Sequence, residues 1–268
     1  NQSEQAREAE RAVLGRLMLE THRFDTVIQV IKENDFDGKD HQIIFQSMSE
    51  LVEENKPLDP LTVSEKLDNK NSLNKIGGKD YLIELATTTP SAANLEAYAE
   101  IVRQRSISRK LMKANSEISE LISKRAPDFI SAAQLEGGGW YGKGAYEVAA
   151  LSEIFKSAAA ACYAPIGEVL PSLNGKVSTA VRVPLGVVAV LSPWNFPGIL
   201  AARPFSFILA AGNTVVLKPS EETPYMGGVF FAEIIEEAEV PPGVFNVVTC
   251  SRDRVTEVGE ELIDNPLV

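Results

Sequence analysis

Histidine and cysteine are scarce in this 268-residue chain, with His22 and His41 early and Cys162 and Cys250 late. No Cys-x-x-Cys or His-x-x-x-His pair is formed, which argues against a zinc site, and no metal is expected. Two isolated cysteines read as reduced thiols rather than a disulfide. Long hydrophobic runs are also missing. No apolar segment approaches the roughly 20 residues that a bilayer span requires, so no membrane partner is expected. The opening NQSEQAREAERAVLG has no apolar core behind a basic stub, and the default expectation is a cytoplasmic protein. Positive charge is in deficit: 26 Lys and Arg against 37 Asp and Glu leave a net charge of −11. That balance excludes a bulk electrostatic grip on nucleic acid. The basic strip RQRSISRKLMK (residues 103–113) reads as a solvated helix face, and direct nucleic-acid binding is not expected.

What is present is an ordinary soluble composition, 44% apolar and 24% charged, in a chain long enough for one large domain or two of average size. The grammar changes near the middle. Up to about residue 123 the sequence reads as helix after helix. REAERAVLGRLMLE places Ala12, Val13, Leu17 and Met18 on one stripe, and HQIIFQSMSELVEEN carries Ile43, Ile44, Met48, Leu51 and Val52 at helical spacing. Pro57 and Pro60 break the pattern, and Thr62 before Glu65 predicts a capping box at a helix start. Gly77 and Gly78 predict a stop and turn, and a long helix is expected to open near Pro90. From about residue 125, glycine, proline and valine become frequent. VRVPLGVVAVLSPW, NTVVLKPS and GVFNVVTC read as strands, each followed by a helical stretch. That alternation predicts a parallel sheet whose strands, buried on both faces, are unbroken apolar runs. The expected fold is therefore an all-α helical bundle over residues 1–122. A partial α/β region, an incomplete doubly wound, Rossmann-like parallel sheet, follows over residues 123–268. No Gly/Ser- or Pro-rich linker separates the two, and one helix is expected to cross the junction as far as Pro127.

The first part resembles a known domain. EAERAVLGRLML, NKPLDPLTVSEKL, the GG-x-x-YLxEL segment (residues 77–85) and the TPSAANxxAYAxIVRxR segment (residues 89–105) resemble the N-terminal domain of DnaB-type replicative DNA helicases, in order and loop length. The resemblance implies an interaction module: a small helical bundle that self-associates around a hexameric ring and helps to recruit primase. The motor of such helicases lies in another domain, which needs a phosphate-binding Gly-rich loop. Residues 137–143 match GxxxxGK, but Gly144 stands where Ser or Thr must hold Mg²⁺, and APDFISAAQLE before it reads as helix rather than strand. No ATP site is expected here.

The second part resembles the aldehyde dehydrogenases. GGGWYGKGAYE, RVPLGVVAVLSPWNFP, LAAGNTVVLKPSEETP, AEIIEEAEVPPGVFNVV and VGEELIDNPLV carry the likeness. In sheets of this kind cofactor binds beyond the carboxyl ends of the strands, and SPWNFP and KPSEET each follow a strand. The resemblance implies that Asn195 donates its side-chain amide to the oxyanion formed from the aldehyde, a role suited to a neutral donor. It also implies that Lys218 and Glu221 bond the adenosine ribose hydroxyls, with Pro193, Trp194 and Ser220 in the same two turns contributing to the cofactor site. Gly259 matches a glycine near the start of the helix after the third strand, where the cofactor pyrophosphate approaches. A carboxylate at Glu221 would repel a 2′-phosphate, so NAD is preferred over NADP.

The departures bear on activity. The family's nucleophile sits in a Gly-Gln-x-Cys motif and its base in an ELGG-like motif, and neither string occurs in these 268 residues. Cys250, at a strand end near Arg252 and Arg254, stands where the family has glycine and has no base nearby in sequence. It is read as a cavity-edge thiol. Cys162, in an AAAAC helical run, is read as core. The combined expectation is a self-association and primase-interaction module of DNA replication joined to a truncated NAD-dependent aldehyde dehydrogenase segment. The alternative is an aldehyde oxidoreductase whose active site is completed by residues outside this chain.

Overall fold

A computed structural model describes residues 2–88, 95–164, 167–172 and 178–268. The chain divides into two compact units, residues 1–107 and 108–268. Each has its own apolar core.

Among its described residues the first unit has helices, 3₁₀ turns and connecting loops but no strand. Its helices are α1 (Gln2–Leu19), α2 (Phe24–Val27), α3 (Lys39–Glu53), α4 (Pro60–Asn69), α5 (Gly78–Thr87) and the first part of α6 (Leu95–Lys124). Ala12, Val13, Leu17 and Met18 of α1 are all buried, as are Ile44, Met48 and Leu51 of α3, while Ile43 and Val52 are half-buried at its rim. The start of α4 differs from the expected one. Its N-cap is Asp59, whose Oδ1 accepts from the Leu61 and Thr62 amides at 2.8 and 3.0 Å, and Thr62 Oγ1 accepts from the Asp59 amide at 3.1 Å. Pro60 has no amide to satisfy and a φ already near helical, so the helix opens three residues earlier than Thr62 would allow. Gly77, at φ +97°, ends one 3₁₀ turn and opens α5, a conformation that costs a side-chain-bearing residue. The opening near Pro90 lies outside the described residues. Across the core, buried His41 lies between Glu10 (Nδ1 to Oε2, 2.6 Å) and the Tyr81 hydroxyl (Nε2 to OH, 2.7 Å), tying α1, α3 and α5 together.

α6 continues as a single helix from the first unit into the second and stops at Lys124. α7 (Ala126–Leu135) begins two residues later with Pro127 in its first turn, so the break falls just before the proline. After α8 (Tyr141–Ala161) come two short antiparallel strands that the sequence reading did not anticipate, β1 (Gly167–Leu170) and β2 (Ser178–Val181). The strand–helix pattern follows: β3 (Val187–Leu191), α9 (Pro197–Ala210), β4 (Thr214–Lys218), a π-helical turn (Tyr225–Val229) leading into α10 (Phe230–Glu237), β5 (Phe245–Val247) and α11 (Val255–Asp264). The three strands are parallel, in the order β3-β4-β5.

Two expectations are corrected here. The run 181–194 is not one strand. Pro184 cannot donate to a ladder and Gly186 sits at φ +112°, so Val181 ends one sheet and Val187 starts another. Burial on both faces holds only for central β4; Val187 and Leu191 of β3, and Asn246 of β5, are exposed because those strands are edges. α11 follows β5 yet packs against β3, at the opposite edge of the sheet. Among the described residues, no helix is long and apolar enough to cross a membrane.

Candidate functional site

Parallel pairing sets Leu191 opposite Lys218, and the Ser192 amide donates to the Lys218 carbonyl at 3.0 Å. The turns after β3 and β4 therefore leave the sheet side by side at its carboxyl end.

In the first turn Asn195 is exposed and Trp194 is 62% exposed, both free to meet a ligand. The turn's exit is fixed from beneath by a residue the sequence reading did not single out. Glu147 of α8 is fully buried, and its Oε2 accepts from the Gly198 and Ile199 amides at 3.0 and 3.3 Å, satisfying orphan donors at the start of α9. A Cβ at Gly198 would lie 2.5 Å from the Phe129 ring, so only glycine fits that approach. The Glu147 Oε1 has no hydrogen-bond partner, with Lys143 Nζ 3.6 Å away. Burial pushes the Glu147 carboxyl above its usual range, opposed by the Ile199 and Gly198 amides and by Lys143.

In the second turn, Ser220 Oγ accepts from the Glu222 amide at 3.3 Å, which shapes the bend. Lys218 is only 6% exposed, and its ammonium donates to the Pro219 carbonyl at 3.2 Å. Glu221 is half-buried and ion-pairs with Arg252 at 3.4 Å; Arg252 also bonds Glu222. Its own backbone amide, then Arg252 and Lys218, hold the Glu221 carboxyl below the usual carboxylate range against partial desolvation.

A cavity of about 490 Å³ opens at this end of the unit, with Glu136, Glu221, Pro224, Tyr225, Thr249 and Cys250 in its wall. Glu136 follows α7. Its two oxygens accept from the Tyr225 and Met226 amides at 2.8 and 3.0 Å, so it too occupies the start of a helical segment. Of the residues singled out in the sequence, Glu221 lines the cavity and Ser220 shapes its loop. Lys218 is buried at the strand end, outside the cavity wall. Pro193, Trp194 and Asn195 occupy the neighbouring turn. Gly259, on α11, has nothing within 4 Å of a built Cβ, so the protein's own packing does not demand glycine there. Cys250 is a half-buried cavity-wall thiol, and Cys162, expected in the core, is instead half-buried at the end of α8 with its thiol pushed up by desolvation. The GxxxxGK mimic joins α7 to α8, and a helix precedes it.

Residues 92–268 match the sequence model described as the Aldehyde dehydrogenase family. The chain belongs to the aldehyde dehydrogenase family. Residues 2–104 match a second description, the DnaB-like helicase N terminal domain. The aldehyde dehydrogenase part is 42% identical over 133 residues to benzaldehyde dehydrogenase YfmT of Bacillus subtilis, covering 49% of this chain and 27% of that protein. The helicase-like part is 44% identical over 111 residues to the replicative DNA helicase DnaB of Buchnera aphidicola, covering 41% of this chain and 24% of that protein. Among solved structures, an NAD-dependent benzaldehyde dehydrogenase from Corynebacterium glutamicum is 34% identical with a TM-score of 0.55, over 59% of this chain and 34% of the other. A salicylaldehyde dehydrogenase from Pseudomonas putida gives a TM-score of 0.58 at 28% identity, over 60% and 33%. The chain thus spans about a quarter of the length of these curated relatives.

Proposed function

We propose that residues 123–268 hold the adenosine end of NAD in the Glu221 cavity and present Asn195 to the oxygen of an aldehyde. The observation that carries this reading is an acid-lined cavity at the carboxyl ends of β4 and β5, beside the turn that exposes Asn195. Its wall fits a ribose: carboxylate oxygens accept from a diol, and Pro224 and Val229 offer an apolar flank for a base. Lys218, Ser220, Pro193, Trp194 and Gly259 support the same ligand from the two turns and from α11. When bound, NAD supplies the hydride acceptor. Asn195 would donate a hydrogen bond where negative charge develops on the carbonyl oxygen. The thiol and base that complete the chemistry are supplied by residues other than these. The chain alone is expected to bind NAD weakly, with a dissociation constant on the order of 1 mM, and to form no NADH with benzaldehyde. Calorimetric titration with NAD tests the reading. Glu221→Ala should weaken binding about tenfold, as loss of one charge-assisted hydrogen bond does; no detectable heat with the native chain would sink it.

A second function is favoured by the match over residues 2–104 and by the relative named as a replicative DNA helicase. We assign the helical part, through residue 122, to self-association and to docking of a primase in the cytoplasm. Light scattering and a pull-down with a primase C-terminal domain test it. A strictly monomeric chain that ignores primase would remove this assignment.

A further inference from the structure

Asn195 is exposed, and among the described residues its side chain forms no hydrogen bond. Its place is therefore set by the backbone on either side of it. On the entry side Ser192 is buried. Its amide donates to the Lys218 carbonyl at 3.0 Å and its hydroxyl to the Pro197 carbonyl at 3.4 Å, which closes the turn across its base. On the exit side, three residues of α8 grip residues 196–199. Lys143, Tyr146 and Glu147 are spaced i, i+3 and i+4 and so share one face of that helix. The Lys143 ammonium stands over the Phe196 ring, 5.1 Å from its centroid. The Tyr146 ring meets the same ring edge-on, with centroids 6.5 Å apart and planes at 74°. Pro197 has no amide to give, and the next two donors, Gly198 and Ile199, both go to Glu147 Oε2. Glu147 Oε1 has no hydrogen bond and lies 3.6 Å from the Lys143 ammonium.

Resting on the reading of Asn195 as donor to an aldehyde oxygen, we propose that Lys143, Tyr146 and Glu147 are positioning residues for it. Phe196 is joined directly to Asn195, so a ring held on two sides restricts where the Asn195 backbone stands. Lys143 links the two halves of the grip, since one ammonium covers the Phe196 face and balances the carboxylate that holds the start of α9. Without it the ring loses its cation and the buried carboxylate its counter-charge. A donor aimed at a developing charge is effective when its place is set before the charge appears. This face of α8 therefore acts on the aldehyde through Asn195, without touching it.

The experiment is heteronuclear NMR on the uniformly labelled full chain, native and as Lys143→Met, Tyr146→Ala, Glu147→Gln and Glu147→Ala. The Asn195 side-chain amide pair is identified by its loss in Asn195→Asp, and the Trp194 indole signal by its loss in Trp194→Phe. Lys143→Met and Tyr146→Ala should displace both signals and leave the Ser220 and Glu222 amides of the neighbouring turn in place. Glu147→Ala should speed hydrogen exchange at Gly198 and Ile199 about tenfold or more, and Glu147→Gln, which keeps an acceptor, should restore most of the protection. Benzaldehyde added to the native chain should move the Asn195 amide pair. Lys143→Met should weaken that response about two- to fivefold, the equivalent of one lost cation–π contact. Asn195 and Trp194 signals that stay in place in both Lys143→Met and Tyr146→Ala overturn the proposal. It is also overturned if Ser220 and Glu222 move as far as Asn195, for then the substitutions loosen the fold as a whole. If benzaldehyde moves no Asn195 signal in the native chain, the aldehyde reading itself fails and takes the positioning role with it, even where the variants displace the turn.

Discussion

Glu147 stands in the sequence as one more charged residue at the end of a Gly-rich string, and nothing in its type suggests burial. Its position does. Gly144, Glu147, Val148, Leu151 and Phe155 recur at helical spacing on α8, and all five are buried. An acid on the apolar stripe of a helix needs donors, and the amides of Gly198 and Ile199 provide them. Glu147→Ala should cost about 1–3 kcal/mol by leaving those amides unpaired inside the protein, whereas Glu147→Gln keeps an acceptor and should cost less. The pH dependence has a defined sign. Because the folded pKa is raised, the native state holds the proton more tightly than the unfolded chain. Stability is therefore lost as pH rises from the ordinary value of 4.5 through the raised folded value, and is regained on acidification. Chemical denaturation of the native chain and of Glu147→Gln from pH 4 upward should show a difference that changes across that window. A pH-independent difference would mean that Glu147 does not titrate there. The KPSE setting drew attention to Glu221, which lines the cavity; Glu136 and Glu147 drew none, because their partners are backbone amides some 50 to 90 residues away.

At the scale of elements, the apolar stripes of α1 and α3 and the run of β4 were readable because burial and periodicity agree there. The start of α4 was misread for a specific reason. Thr62 and Glu65 have the spacing of a capping box, yet Asp59 ahead of Pro60 makes a better one, and the chain took it. Asp59→Ala should lower stability by about 1 kcal/mol, and Glu65→Ala by much less; equal effects in a thermal melt would restore the Thr62 start. Gly77→Ala should cost about 1–2 kcal/mol, since φ +97° is unfavourable for a residue with a Cβ. The long apolar run before SPWN hid a corner because valine and leucine continue through it, and only Pro184 and Gly186 mark the break. β1 and β2 escaped notice because GEVL and STAV are short and largely exposed.

At the scale of the molecule, the described residues form two cores that share no residue. α6 supplies Val102 to the first and Ile118 and Ile122 to the second. The change of fold class along the chain was legible from composition. The sequence sets it near residue 123, and the two compact units meet at residues 107 and 108, within α6. Scanning calorimetry should show two transitions. Phe45→Ala should lower only one and Phe205→Ala only the other, each by about 3–5 kcal/mol as expected for a buried phenylalanine. A single transition shifted by either substitution would mean that the cores melt as one cooperative body. The placing of Glu136 and Glu147 also bears on inheritance. The helices after β3 and β4 are anchored by side chains that precede the first parallel strand by 40 to 51 residues. A segment exchanged between genes ahead of residue 118 would leave in place both anchors, the Ile118 and Ile122 that α6 gives the second core, and the Arg125 bonded to Glu233. An exchange point beyond residue 136 would take away the Glu136 anchor, and one beyond residue 147 would strand both helices.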